Sequence, residues 1–218
     1  MLSGKLITFE GIDGCGKTTV ANLVQSKLLA ANAKPFNIVL EAEPTRTAVG
    51  TLLRDVLRWE TNRDLHYTEF MAYLMMADRS RHYWNKMEPM LAQGCHIFCD
   101  RYKWSSYAYQ SAGGMDLEYL VELNRTTPPP DLVVLFNISP EQAFARIKAT
   151  RTHTEMFDNL EILTKIANVY QLLSSGHNKF FKESDYTTVV TVDASKPLAE
   201  VVSVTAGAVG NFLNCRLT

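Results

Sequence analysis

Short apolar runs alternate with stretches of helical periodicity along the whole chain. Lys5 to Glu10 (KLITFE) runs into a glycine and reads as a strand. From Lys17 to Ala31, Val20, Leu23, Val24 and Leu28 recur at helical spacing and are expected to turn inward. Phe36 to Ala42 reads as a second strand. Helices are expected over 47–59 and 65–93, the second turning Phe70, Leu74, Met87 and Leu91 inward. Pro89 should kink or interrupt that long helix, and Gly94 should stop it. Cys95 to Cys99 is a third strand, and 105–112 and 117–125 are shorter helices. Pro128, Pro129 and Pro130 break the chain before Leu132 to Ile138, which is apolar on both faces as a buried parallel strand should be. Helices at 140–149 and from about 158 to 181, a fifth strand at 187–192 and a last helix at 198–213 complete the pattern. This βα alternation predicts an α/β fold of three layers, with a five-stranded parallel sheet flanked by helices.

Composition narrows the partners. The chain has 218 residues, which favours one domain, and 46% of them are hydrophobic, an ordinary globular fraction. Twenty-two basic against 23 acidic side chains give a net charge of −1, so a dedicated nucleic-acid binder is not expected. No apolar run is long enough to span a bilayer, and Met1 to Glu10 lacks the apolar stretch of a secretory signal. Cys15, Cys95, Cys99 and Cys215 show no metal-site spacing, so a reducing, cytoplasmic compartment is expected.

The chemistry begins at Gly11-Ile12-Asp13-Gly14-Cys15-Gly16-Lys17-Thr18, which fits G-x-x-x-x-G-K-[ST] between a strand and a helix. Glycines let successive backbone N–H groups face one anion, and the helix N-terminus adds positive potential. Lys17, expected to be an exposed ammonium, can reach the β- and γ-phosphates of a nucleoside triphosphate, and the Thr18 hydroxyl can ligate Mg²⁺. Thr19 follows in the same loop-helix junction. The motif alone does not separate kinases from other nucleotidases. Asp13 inside the loop would repel phosphates, a cost that makes sense if its carboxylate accepts a hydrogen bond from a sugar hydroxyl. Asp100-Arg101-Tyr102 follows the third strand, where ligands of open α/β sheets bind. There Asp100 can position Mg²⁺, and Arg101 can bind phosphate oxygens.

These residues together make the sequence similar to the thymidylate kinase family over nearly its whole length. The resemblance rests on GIDGCGKTT, Glu43-Pro44, Ala77-Asp78-Arg79, Asp100-Arg101-Tyr102 with Ser105, Ser106, Tyr109 and Gln110, Asp131-Leu132, and Val192-Asp193-Ala194. It implies a single kinase domain over 1–218 with a mobile lid at about 146–158. It also implies transfer of the γ-phosphoryl of ATP to thymidine monophosphate (dTMP), Mg²⁺ as cofactor and a homodimer. By the resemblance Asp13 binds the acceptor 3′-hydroxyl, and Arg54 and Arg101 hold its phosphate. Arg79 and Ser106 hydrogen-bond the thymine edge, Gln110 lies against it, Tyr109 crowds the 2′ position, and Glu43 belongs to the same acceptor side. Gly11, Gly14, Cys15, Gly16 and Thr19 surround the donor phosphates, with Arg146 and Ala194 on the adenine side.

Two departures bear on specificity. Some family members carry a basic residue at the position of Gly14; here the lid must supply that charge, with Arg151 the first candidate and Lys148 the second. The stacking phenylalanine of the family is Met75, a softer ring contact. The charge before Glu43 is also missing, since the residue there is Ala42, and Arg46 is the expected substitute. Met75 motivates one alternative, a kinase for another or modified deoxynucleoside monophosphate. A non-catalytic ATP-binding switch is the other, although a switch needs no second nucleotide site.

Overall fold

A computed structural model describes residues 4–31, 37–59, 64–150, 159–175 and 187–215. Strands β1 (Leu6–Glu10), β2 (Ile38–Ala42), β3 (His96–Asp100), β4 (Leu132–Asn137) and β5 (Thr188–Asp193) form one parallel sheet in the order β2-β3-β1-β4-β5. The helices are α1 (Lys17–Ala31), α2 (Ala48–Trp59), α3 (Leu65–His82), α4 (Glu88–Ala92), α5 (Lys103–Ala112), α6 (Leu117–Leu123), α7 (Pro140–Thr150), α8 (Leu160–Ser174) and α9 (Leu198–Phe212). The sheet lies where the apolar runs predicted it. Its centre is aromatic: Phe9 on β1 lies 5.2 Å from Phe98 on β3 and 6.1 Å from Phe136 on β4, centroid to centroid. Every β1 residue is buried.

Because β1 pairs with β3 on one side and β4 on the other, the chain reverses direction of winding at β1. The crevice beyond the carboxyl end of β1 and β3 is therefore the place where an open α/β sheet offers a ligand site. The register sets Phe9 beside Asp100, so the phosphate loop after β1 and the Asp100-Arg101-Tyr102 turn after β3 start level.

The long helix is interrupted near Pro89, as expected. It is α3, then a π-helical turn over Tyr83–Met87, then α4 with Pro89 in its first turn. Pro89 has no N–H to offer the preceding turn, and the backbone widens there. Of the residues expected inward, Met87 is fully buried and Leu74 and Leu91 pack against buried clusters, but Phe70 is 46% exposed, and Thr68, Asp78, Arg79 and His82 are buried instead. The inner stripe of α3 is apolar in its first half, where Tyr67, Met71 and Ala72 are buried, and polar in its second, where Asp78, Arg79 and His82 are. Leu23 on α1, also expected inward, is 42% exposed. Helix 158–181 is described only as α8, and 176–181 lies outside the described residues.

Candidate active site

Three glycines of the phosphate loop, Gly11, Gly14 and Gly16, take positive φ (144°, 78° and 93°). Gly14 is under the tightest steric demand. A Cβ there would stand 2.5 Å from the Ala143 carbonyl oxygen of α7 and 3.0 Å from Ile147 Cγ1. A Cβ on Gly16 would meet nothing within 4 Å. Lys17 is not the exposed ammonium expected of it. It is buried, and Nζ donates to the carbonyls of Gly11 (3.1 Å) and Ile12 (3.2 Å), with Cys15 Sγ at 3.8 Å. Thr18 Oγ1 donates to Asp100 Oδ2, while Asp100 Oδ1 is buried with no hydrogen-bond partner. A carboxylate oxygen left bare beside a hydroxyl is a donor set that suits a hard divalent cation such as Mg²⁺.

Glu10, the last residue of β1, holds the neighbouring turn in place. Its carboxylate accepts the Tyr102 N–H (2.8 Å), the Ser105 hydroxyl (2.6 Å) and the Tyr170 hydroxyl of α8 (3.0 Å). Burial raises its pKa, against the lowering effect of those bonds and of the nearby Arg101. Between these anchors Arg101 adopts a left-handed φ of 68°. Its guanidinium pairs with Asp13, donates to Ser105 Oγ (3.1 Å) and Tyr109 Oη (3.0 Å), and lies 4.8 Å from the centre of the Tyr109 ring.

The facing wall belongs to α3. Asp78 accepts the Thr45 N–H (2.7 Å) and the hydroxyls of Thr45 (2.6 Å) and Thr47 (3.1 Å). That clamp fixes the entry to α2, so Arg54 on α2 can donate to the Pro44 carbonyl (2.9 Å). One residue further along α3, Arg79 is 2% exposed. It donates to Glu43 Oε2 (2.8 Å), to the Asn124 side chain, and to both the Tyr102 carbonyl (3.0 Å) and Ser106 Oγ (2.9 Å). Glu43 precedes a cis bond to Pro44. Between these walls lies a cleft of about 370 Å³.

Twelve of the residues singled out from sequence line this one cleft: Asp13, Lys17, Thr18, Glu43, Arg54, Met75, Arg79, Asp100, Arg101, Ser106, Tyr109 and Gln110. Gln110 is buried, and its Oε1 has no hydrogen-bond partner. Others lie apart. Thr19 is exposed on α1 and Arg146 exposed on α7, while Ala194 is buried after β5 with its N–H on the Asn137 carbonyl (2.8 Å). Lys148 is exposed, with Nζ 4.4 Å from the centre of the Phe144 ring. Arg46, expected to replace the charge lost at Ala42, is exposed and does not line the cleft; Arg58, one turn after Arg54 on α2, does. Arg151, with the rest of 151–158, lies outside the described residues. Sequence reasoning missed Arg58, Tyr67, Thr68 and Met71 as lining residues, and gave Ser105, part of the family motif, no role. The i, i+4 spacing of Arg54 and Arg58 was the available signal for the first.

Comparison with known proteins now bears on this geometry. The family model described as thymidylate kinase matches residues 9–204. The chain belongs to the thymidylate kinase family. A protein named probable thymidylate kinase from Pyrococcus horikoshii is 38% identical over 178 residues, 79% of this chain and 84% of that one. Proteins of the same name from Methanococcus maripaludis (34% identical, 94% of each chain) and Sulfolobus acidocaldarius (33%, 96% of this chain and 98% of the relative) are covered almost end to end.

Within this thymidylate kinase fold the phosphate loop and α7 are packed against each other at Gly14. Gly14→Ala is expected to lower the free energy of unfolding by about 2 kcal/mol or more, because the left-handed penalty (~1–2 kcal/mol) and the contact with Ala143 act together. Gly16→Ala, with open space around it, should lose only the first part. Urea unfolding of the two variants checks the difference.

Proposed function

We propose that this chain transfers the γ-phosphoryl of ATP to dTMP, with Mg²⁺, in the cytoplasm. The observation that carries the reading is the single cleft joining a phosphate loop to a second polar wall, where Asp13, Arg54, Arg79 and Arg101 meet. A nucleotide switch has no use for that wall. The donor triphosphate lies along the phosphate loop, and Lys17 leaves the Gly11 and Ile12 carbonyls to meet its β- and γ-oxygens. Thr18 and Asp100 would hold Mg²⁺, which neutralises charge on the transferring group. Arg101, released in part from Asp13, binds the acceptor phosphate, and Asp13 accepts the 3′-hydroxyl. Arg54 and Arg58 add charge from α2. Arg79 and Ser106 face the pyrimidine edge, Gln110 Oε1 offers an acceptor to the base N–H, and Met75 covers the ring face. Positioning and charge stabilisation supply the rate; no covalent intermediate on the protein is needed.

A homodimer belongs to the same reading. The outer face of α3 and the π turn presents Phe70, Tyr73, Ala77 and Trp84, exposed at helical spacing and opposite the cleft. Such a stripe suits a second copy of the chain. The four free cysteines accord with a reducing compartment.

The deciding experiment is a coupled ADP-release assay across deoxynucleoside monophosphates: dTMP should be the best acceptor, and a better modified pyrimidine would redirect the reading to that base. In the same assay Lys17→Met should cut kcat by about 10²-fold or more, since loss of one preorganised donor to developing charge costs ~10²–10³. Near-normal turnover in the folded variant would remove Lys17 from the chemistry. Arg151→Ala should lower kcat with little change in either KM, by less than the ~10³–10⁵ of an isolated arginine finger because Lys148 and Arg146 are close in sequence. A raised KM for ATP with kcat intact would instead make Arg151 a binding residue. Phe70→Glu should convert the dimer to monomer in sedimentation equilibrium, with the fold retained by circular dichroism.

A further inference from the structure

The buried face of α3 carries a line of charges that the phosphoryl-transfer chemistry does not use. It starts at the surface with Lys86 on the π turn, which pairs with Glu41 on β2. Glu41 Oε2 lies 3.0 Å from His82 Nε2, and His82 Nδ1 lies 3.2 Å from Glu43 Oε1. Glu43 Oε2 in turn accepts from Arg79. The sign alternates at every step: ammonium, carboxylate, imidazole, carboxylate, guanidinium. His82, Glu43 and Arg79 are each at most 3% exposed in their side chains. Only the imidazolium can donate to both carboxylates at once; a neutral ring donates to one and turns a lone pair toward the other. Burial opposes the charge on His82, yet the hydrogen bonds and charges of Glu41 and Glu43 outweigh it and raise its pKa to about 9. Two further titratable groups stand close by, Cys99 of β3 and Tyr102, whose ring centre lies 5.3 Å from Arg79 Cζ; burial pushes the pKa of both well up, so both stay protonated and uncharged. Cys99, Glu43 and His82 stand close enough to share a metal ion, but both ring nitrogens face carboxylates and the thiol donates to the Arg101 carbonyl (3.1 Å).

We propose that His82, as an imidazolium, is a positioning residue for acceptor-base recognition: it holds Glu43, and through Glu43 fixes the guanidinium of Arg79 at the cleft. This rests on the reading that Arg79 faces the base of the acceptor. Arg79 already gives N–H bonds to Glu43, Asn124, Tyr102 and Ser106, so its plane is set by protein partners and not by the ligand. Glu43 contributes the one charged contact of that set. A guanidinium presented in this way accepts a 4-oxo pyrimidine and rejects a 4-amino one, because both it and the amine are donors. Without the charge on His82 the ring donates to only one of the two carboxylates and no longer pins Glu43 and Glu41 together, so the hold on Glu43, and with it the orientation of Arg79, relaxes.

The test compares wild type, His82→Gln and Arg79→Lys. Dissociation constants for dTMP and dCMP are read by titration calorimetry, and kcat and both KM values by the ADP-release assay. His82→Gln should weaken dTMP by about tenfold and narrow the dTMP-to-dCMP ratio, with kcat at saturation and KM for ATP within about twofold. Wild-type stability should also fall as pH rises from about 6.5 through about 9, where the imidazolium is lost, and His82→Gln should flatten that slope. If Arg79→Lys abolishes base discrimination while folded His82→Gln leaves the dTMP constant and the ratio unchanged, His82 does not position Arg79 and the proposal is overturned, with the base reading intact. If neither variant changes discrimination, Arg79 does not read the base and the proposal goes with it. Should His82→Gln not fold, Glu41→Gln, which removes the charge of one of the two carboxylates that hold the ring as an imidazolium, is measured in its place. A dTMP constant raised about two- to threefold supports the proposal, and an unchanged one overturns it.

Discussion

The carboxylate of Glu10 is the constraint on which the site depends. It stands at the last position of the central strand, one residue before the phosphate loop, and draws the Asp100-Arg101-Tyr102 turn, the start of α5 and the middle of α8 onto one buried point. A buried carboxylate is costly unless its oxygens are satisfied, and here three donors from separate elements satisfy it. Ser105 then passes the constraint on, because the hydroxyl that donates to Glu10 also accepts from Arg101. Arg101 is thereby held at a φ that residues other than glycine seldom adopt, with its guanidinium against Asp13. Donor-side and acceptor-side machinery thus share one origin at the end of β1.

Much of this was legible in the chain. The parallel sheet follows from runs such as LVVLFN, apolar on both faces, and the phosphate loop from eight residues at fixed spacing. The clustering of Asp13, Arg54, Arg79, Arg101, Ser106, Tyr109 and Gln110 was carried by family likeness, and they do line one cleft. What stayed hidden were long-range polar contacts. Glu10 reads as the end of a strand, and nothing local ties it to Tyr170, 160 residues on. His82 reads as one more polar residue on a long helix until β2 brings two carboxylates to it. Lys17 was expected in solvent because the motif encodes its role with phosphate present; in this structure the loop's own carbonyls take its protons.

Helix α3 shows why periodicity alone does not place every residue. The second half of its inner face is polar: Asp78 secures the entry to α2, Arg79 secures Glu43, and His82 sits between two acids, while Tyr67, Met71 and Ala72 are buried in the first half. Its outer face is apolar through Phe70, Tyr73, Ala77 and Trp84. Buried charges on one face and exposed aromatics on the other break the rule that turns hydrophobic residues inward, and the break points to a functional inner wall and a surface with work to do outside.

The contact between Gly14 and the Ala143 carbonyl limits how this sequence can diversify. Relatives that place a cation inside the phosphate loop cannot be reached from this chain by one substitution, because the first atom added at position 14 strikes the backbone of α7. Helix α7 would have to shift first, so a charge gained in the loop comes only after the packing between loop and α7 is lost. The two arrangements are separated by a less stable intermediate, so ancestry is expected to keep them apart.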